Sequence, residues 1–162
     1  MTVTEYNLCV EELSDRLYRF ALKSLKDDDH SHDIVQDCFE KLWLKKEGIE
    51  FTKAKSYLFT TAYNKMVDFW RREKFRGEAE NLEETHSYEQ NHYSGLKPII
   101  NKALDKLPEV QRTVLLLRDY EGYDYAEIGK ICDLSDSQVK VYIYRARLAM
   151  KNYLGSLQAV LG

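Results

Sequence analysis

Residues 125–150 read YAEIGKICDLSDSQVKVYIYRARLAM. Placed at about 100° per residue, Ala126, Ile128 and Ile131 suit the packing side of a short helix over 125–132. Val139, Ile143, Ala146 and Met150 form an apolar arc on a longer helix over 136–154. Between the two, Asp133 takes a turn position that needs a permissive backbone, which Asp tolerates less well than Gly. Leu134 is placed to insert into the core, and Ser135 or Asp136 to cap the second helix. The far side of that helix presents Ser137, Lys140, Val141, Tyr144 and Lys151, with Arg145 and Arg147 flanking. Helix, short turn and longer second helix is the layout of a helix-turn-helix, whose second helix enters the DNA major groove. An αα-hairpin in a bundle has the same layout, so this stretch alone leaves both readings open.

A DNA-binding reading must meet the acidity of the whole chain, which is 162 residues long with a net charge of −3. That total conceals a strongly uneven distribution. Residues 51–76 hold seven bases and two acids, whereas residues 1–50 and 77–97 are net acidic. Nucleic-acid contact depends on the local patch and not on the sum. With 44% hydrophobic and 31% charged residues, two Pro and seven Gly, the composition predicts a globular all-α protein. No run approaches the roughly 18 apolar residues of a membrane span, and MTVTEYNLCVEEL lacks the basic and apolar regions of a signal peptide. A cytoplasmic protein without direct membrane insertion is expected. Cys9, Cys38 and Cys132 are dispersed and odd in number, which argues against a disulfide framework or a zinc site. His30 and His32 are read as part of a solvated loop, no metal or other cofactor is expected, and no nucleophile–base pair supports an enzyme.

Residues 77–97 are acidic, poor in apolar side chains and bounded by Gly77 and Gly95. They read as a flexible linker. Two small helical domains result, residues 1–76 and 98–162, the second containing the helix-turn-helix pattern. In the first, helices are expected over about 5–26, 31–46 and 54–74, with Ser31 as the N-cap of the middle one. In the second they are expected over 98–106, 108–120, 125–132 and 136–154, with Pro98 and Pro108 in first turns.

Two faces of the first domain add to the opening stretch. On residues 29–46, Asp33, Gln36, Asp37 and Glu40 lie opposite an apolar arc of Ile34, Val35, Cys38 and Leu42. This is either an ordinary solvated face or a docking surface for a basic protein. On residues 56–76, Leu58, Phe59, Ala62, Met66, Phe69 and Trp70 form the packing arc. The other side carries Tyr57, Thr61, Asn64, Lys65, Asp68, Arg71 and Arg72, and Phe51, Lys53 and Lys55 precede it on an expected loop over 48–55. Lys and Arg neutralise phosphate, Asn pairs with base edges and Tyr stacks on an unpaired base. A solvated helix end with bases at its C-terminal dipole is the alternative.

In this order the three faces resemble an ECF-type sigma factor, a small member of the sigma-70 family of bacterial transcription initiation factors. DIVQDCFEKLW is similar to the family's polymerase-docking helix, and SYLFTTAYNKMVDFWRRE to its minus-10 segment. LPEVQRTVLLLRDYEGYDYAEIGKI and SDSQVKVYIYRARLAMK resemble its minus-35 helix-turn-helix. The resemblance covers nearly the whole chain. It implies that Asp33, Gln36, Asp37 and Glu40 face RNA polymerase core. Asn64, Asp68, Arg71 and Arg72 would lie at minus-10 DNA, and Lys53, Lys55, Tyr57 and Lys65 of the same basic aromatic face are expected to join them there. Ser137, Gln138, Lys140, Val141, Tyr144 and Arg145 would read minus-35 DNA. It further implies no catalysis of the chain's own, promoter DNA as a partner and restraint by an anti-sigma factor. The sequence departs from the family at Asp124 in place of Ser or Thr, at Gly129 in place of a small Ala (a mild change), at Asp133 in place of Gly, and at Val141 in place of Ser. Two rival functions stay open at this point: a stand-alone helix-turn-helix regulator, and a helical interaction protein with no DNA role.

Overall fold

The computed structural model describes residues 1–79 and 95–161, and all regular structure among them is helical. The chain divides into two compact units, Met1–Tyr88 and Glu89–Gly162. None of the described helices is long and apolar enough to cross a membrane.

The N-terminal unit packs α1 (Val3–Leu25), α2 (Asp28–Lys45) and α3 (Ala54–Ala79) around one core. Leu17, Cys38, Leu42, Leu58, Phe59, Ala62 and Met66 are fully enclosed, and the Phe20 and Phe59 rings meet at 5.2 Å between centroids. Tyr63 joins this core, although the helical pattern alone did not single it out. α1 starts on a reciprocal cap: the Glu5 N–H donates to Thr2 Oγ1 at 3.1 Å, and the Thr2 N–H to the Glu5 carboxylate at 2.9 Å.

α2 begins a turn earlier than expected. Asp27, not Ser31, is the N-cap, accepting from the His30 N–H at 3.0 Å. Ser31 is buried inside the helix, and its hydroxyl donates to the Asp27 carbonyl at 2.6 Å. The run Asp27–Asp28–Asp29 favours this earlier start, because carboxylates offset the positive end of the helix dipole. His30 and His32 therefore lie in the helix and not in a loop. His32 stacks on Tyr18 at 4.4 Å, and His30 sits 4.8 Å from the Phe69 ring. α3 likewise outruns its expected end and continues through Gly77 to Ala79, three residues into the expected linker. A single Gly costs a helix only about 1 kcal/mol. Residues 80–94 of the expected linker lie outside the described residues, and at its far end the next helix already begins at Leu96, two residues before the expected start at Pro98.

The C-terminal unit contains α4 (Leu96–Asp105), α5 (Glu109–Leu115), α6 (Tyr125–Cys132) and α7 (Asp136–Leu161). α5 continues into a π-helical stretch, Leu116–Tyr120, with the Glu121 N–H donating to the Leu116 carbonyl at 3.2 Å. Leu104, Val114, Leu116, Leu117, Ile128, Val139 and Ile143 form its core. Pro98 sits in the first turn of α4, where no intrahelical N–H is needed, and Pro108 caps α5. After the π stretch the chain turns at Gly122, whose φ of 75° is the left-handed region that glycine enters freely.

Arg112 is the exceptional core residue, with only 6% of its surface exposed. Its Nε donates to the Leu104 carbonyl at 3.0 Å, and its Nη2 to the carbonyls of Leu107 at 2.9 Å and Asp105 at 3.3 Å. These oxygens belong to the C-terminal end of α4 and the turn after it, where helical carbonyls have no intrahelical donor. The guanidinium supplies donors there from α5, beside the Leu107 N–H that also reaches the Leu104 carbonyl at 3.1 Å. Burial lowers its pKa, opposed by Asp105 and Glu109.

Candidate nucleic-acid interface

α6 and α7 form the helix-turn-helix anticipated for 125–150. α6 opens on a reciprocal cap between Asp124 and Glu127, at 2.8 and 2.9 Å. It closes at Asp133, which is left-handed at φ 55° and ψ 54°. The Leu134 N–H then reaches back to the Gly129 carbonyl at 2.9 Å, the wider bond of a Schellman turn. Ala126, expected on the packing side, is exposed, and Gly129 is buried in its place.

α7 starts with Ser135 as its cap. The Gln138 N–H donates to Ser135 Oγ at 3.2 Å, and the Ser135 N–H to Gln138 Oε1 at 2.9 Å. Gln138, an expected base-reading residue, therefore spends its amide oxygen on the helix start. Ser137, Lys140, Val141, Tyr144 and Arg145 all stand exposed, while Val139, Ile143 and Ala146 are buried. Val141, Tyr144 and Leu148 follow one another at helical spacing and are 43%, 68% and 45% exposed, which makes a solvent-facing apolar stripe beside the bases. Leu148 was not among the expected site residues, although the same spacing argument reaches it. Arg147 is committed elsewhere: it donates to Asp119 at 2.6 Å, and that bond raises its pKa. The pair ties α7 to the π-helical stretch.

On α3, Asn64, Asp68, Arg71 and Arg72 are exposed, and Lys53 is exposed just ahead of the helix. Lys55, Tyr57 and Lys65 are half-buried. Arg71 lies 3.7 Å from Asp68, and the Lys55 amine 5.9 Å from the Phe59 ring centroid. Lys65 forms an ion pair with Asp37 of α2 at 3.2 Å. The expected loop over 48–55 is more ordered than anticipated: two short 3₁₀ turns, Lys46–Gly48 and Phe51–Lys53, lead directly into α3. Phe51 remains 38% exposed on the second turn.

On α2, Asp33, Gln36, Asp37 and Glu40 share an exposed face. Leu44 extends that face by one turn and is 75% exposed, with Trp43 beside it at 42%. Burial pushes the Cys38 and Cys132 thiols up to about 12, so both stay protonated and poorly nucleophilic at neutral pH.

Comparison with known families decides between these arrangements. The sigma-70 region 2 profile matches residues 9–76, and the profile for sigma-70, region 4, matches residues 98–150. The chain is an ECF-type member of the sigma-70 family. RNA polymerase sigma factor SigV of Bacillus subtilis is 27% identical to this sigma factor over 146 residues, covering 88% of this chain and 87% of that one. The ECF sigma factor SigM of the same organism is 25% identical over 157 residues, covering 93% and 94%. Among solved structures, the sigma factor RpoE of Bartonella quintana, in complex with the anti-sigma factor NepR, superposes with a TM-score of 0.80. It is 24% identical, with 94% of this chain and 98% of that one covered. CnrH, in complex with the cytosolic domain of CnrY, gives 0.67 at 23% identity, with 93% of this chain and 88% of that one covered.

In this sigma factor the tight α6–α7 turn depends on Gly129. A Cβ there would lie 2.6 Å from the Leu134 carbonyl oxygen, closer than backbone tolerates. The expectation that Gly129 stands in mildly for an alanine is therefore corrected: in this turn the added methyl collides. Gly129→Ala should destabilise the C-terminal unit by roughly 1–3 kcal/mol, the range for overpacking a tight site. Chemical denaturation followed by circular dichroism checks this. A midpoint equal to or above that of the wild type would contradict it.

Proposed function

We propose that this sigma factor binds RNA polymerase core and directs it to promoters. Its N-terminal unit meets the minus-10 element and its C-terminal unit the minus-35 element. The observation that carries this reading is the start of α7, where Ser137, Lys140, Val141, Tyr144 and Arg145 project to solvent from a rigidly capped helix. Such a start fits the major groove: Lys140 and Arg145 serve phosphates and guanine edges, and Val141 suits a thymine methyl group. The half-engaged Gln138 has only its NH₂ group to offer an acceptor on a base.

At minus-10 the DNA is single-stranded once opened. Asn64, Arg71 and Arg72 supply amide and cationic groups on one exposed face of α3. Tyr57 and Phe51 offer rings on which an unstacked base rests. The stretch over 48–55, which includes the second 3₁₀ turn, is the proposed base pocket. The acidic stretch over 80–94 repels nucleic acid, so it leaves these two units as the DNA-binding parts. The protein carries out no chemistry of its own, because polymerase forms the bonds. It acts in the cytoplasm, beside polymerase. The complex of RpoE with the anti-sigma factor NepR supports restraint of this chain by an anti-sigma partner.

The α2 face docks on polymerase through Asp33, Gln36, Asp37 and Glu40, with Leu44 and Trp43 as an apolar anchor at its end. Reversing two charges on this face, with Asp33→Arg and Glu40→Arg, should weaken core binding by at least about tenfold, since like charges across an interface cost several kcal/mol. Fluorescence titration of labelled protein with polymerase core checks this. Wild-type affinity in the double variant would contradict the docking assignment.

A further inference from the structure

The two proposed surfaces of the N-terminal unit meet at one ion pair. The Lys65 ammonium, on α3, lies 3.2 Å from the Asp37 carboxylate on α2. Asp37 belongs to the exposed acidic face, and Lys65 borders the face that carries Asn64 and Asp68. The Lys65 side chain is 26% exposed and the Asp37 side chain 51%. Asp37 thus draws the lysine toward α2, against the helix surface, instead of leaving its ammonium out in solvent. Each ion then has two competing partners. A cation on a protein docked at α2 competes for the carboxylate, and a nucleic-acid phosphate competes for the ammonium.

We infer that Asp37 is a positioning residue for Lys65, and that this pair couples protein docking on α2 to single-stranded DNA binding on α3. The inference rests on the function proposed above. In the unbound protein Asp37 holds Lys65 back from phosphate. When a docked cation takes the carboxylate, Lys65 swings out on its flexible four-carbon stem without repacking the core. The coupling is reciprocal by linkage, so DNA held by Lys65 also frees Asp37 for the docked protein. The pair is partly solvated, so its effect is modest: about two- to fivefold in affinity.

The test uses the purified full-length chain and a fluorescein-labelled oligothymidylate, followed by anisotropy at low salt. Oligothymidylate suits it because a lysine–phosphate contact is independent of base identity. Asp37→Asn should tighten binding by about two- to fivefold more than Glu12→Gln does. Glu12 is an exposed acid on α1, so that variant controls for the loss of one negative charge from the same unit. In a Lys65→Met background the extra gain from Asp37→Asn should vanish. Circular dichroism of each variant verifies that it is folded. The inference is overturned if Asp37→Asn gains no more than Glu12→Gln, if its gain survives Lys65→Met, or if no variant binds the oligonucleotide. Failure of this coupling is separable from failure of the proposed function: promoter-specific initiation by the wild-type chain with polymerase stands or falls independently of it.

Discussion

Lys140→Ala combined with Arg145→Ala is expected to lower initiation at a minus-35-dependent promoter by about a hundredfold or more. Both side chains are exposed on the capped start of α7, and neither supports the core formed by Val139, Ile143 and Ala146. A good base or phosphate contact contributes about 1–3 kcal/mol, so losing two removes most of the specific binding. The helical content should not change, because alanine is the best helix former. The measurement is run-off transcription beside far-UV circular dichroism. Unchanged promoter selection in a folded variant would show that α7 is a packing helix, as an αα-hairpin would have it.

Arg112→Met is expected to destabilise the C-terminal unit by roughly 2–4 kcal/mol. Methionine fills much of the space but donates nothing. The carbonyls of Leu104, Asp105 and Leu107 would lose a shared donor group, two of those bonds being fully buried, although Leu104 keeps the Leu107 N–H at 3.1 Å. A buried acceptor left unsatisfied costs about 1–3 kcal/mol. Removing the buried charge returns part of its desolvation cost, which keeps the net effect below the sum. Both tryptophans, Trp43 and Trp70, belong to the N-terminal unit, so their fluorescence is a local reference. Circular dichroism should show early loss of part of the helix signal, while the tryptophan transition keeps its midpoint. A wild-type melting profile by both probes would mean that Arg112 is dispensable to the fold.

Much of this fold is legible in the amino-acid order, because helical spacing of apolar residues is a local signal. Val139, Ile143 and Ala146 mark the buried side of α7 without any knowledge of what they touch. Asp124 and Glu127, three apart, mark the start of α6 in the same way. What escaped depends on partners distant in sequence or on backbone geometry. Arg112 reads as one more surface base until the carbonyls ending α4 are seen around it. The steric demand at Gly129 comes from the Leu134 carbonyl, which only the left-handed Asp133 brings near. Ser31 looked like a cap, but Asp27 competes for the same role four residues earlier and wins. The Asp37–Lys65 pair joins residues of two separate helices, and no periodicity predicts it. Among site residues, exposure of the α2 and α7 faces was predictable, but the half-burial of Lys55, Tyr57 and Lys65 was not, nor was the commitment of Gln138 to a cap, since its type fits both roles.

The central claim is that this chain carries promoter specificity to a polymerase that lacks it. Its most direct test is reconstitution: purified chain, sigma-free RNA polymerase core and a pool of genomic promoter fragments, with run-off products sequenced. Specific initiation at a set of fragments sharing two spaced motifs is the predicted result, with no products from core alone. Transcription no different from core alone, while the chain still binds duplex DNA by itself, would contradict the claim and leave a stand-alone regulator.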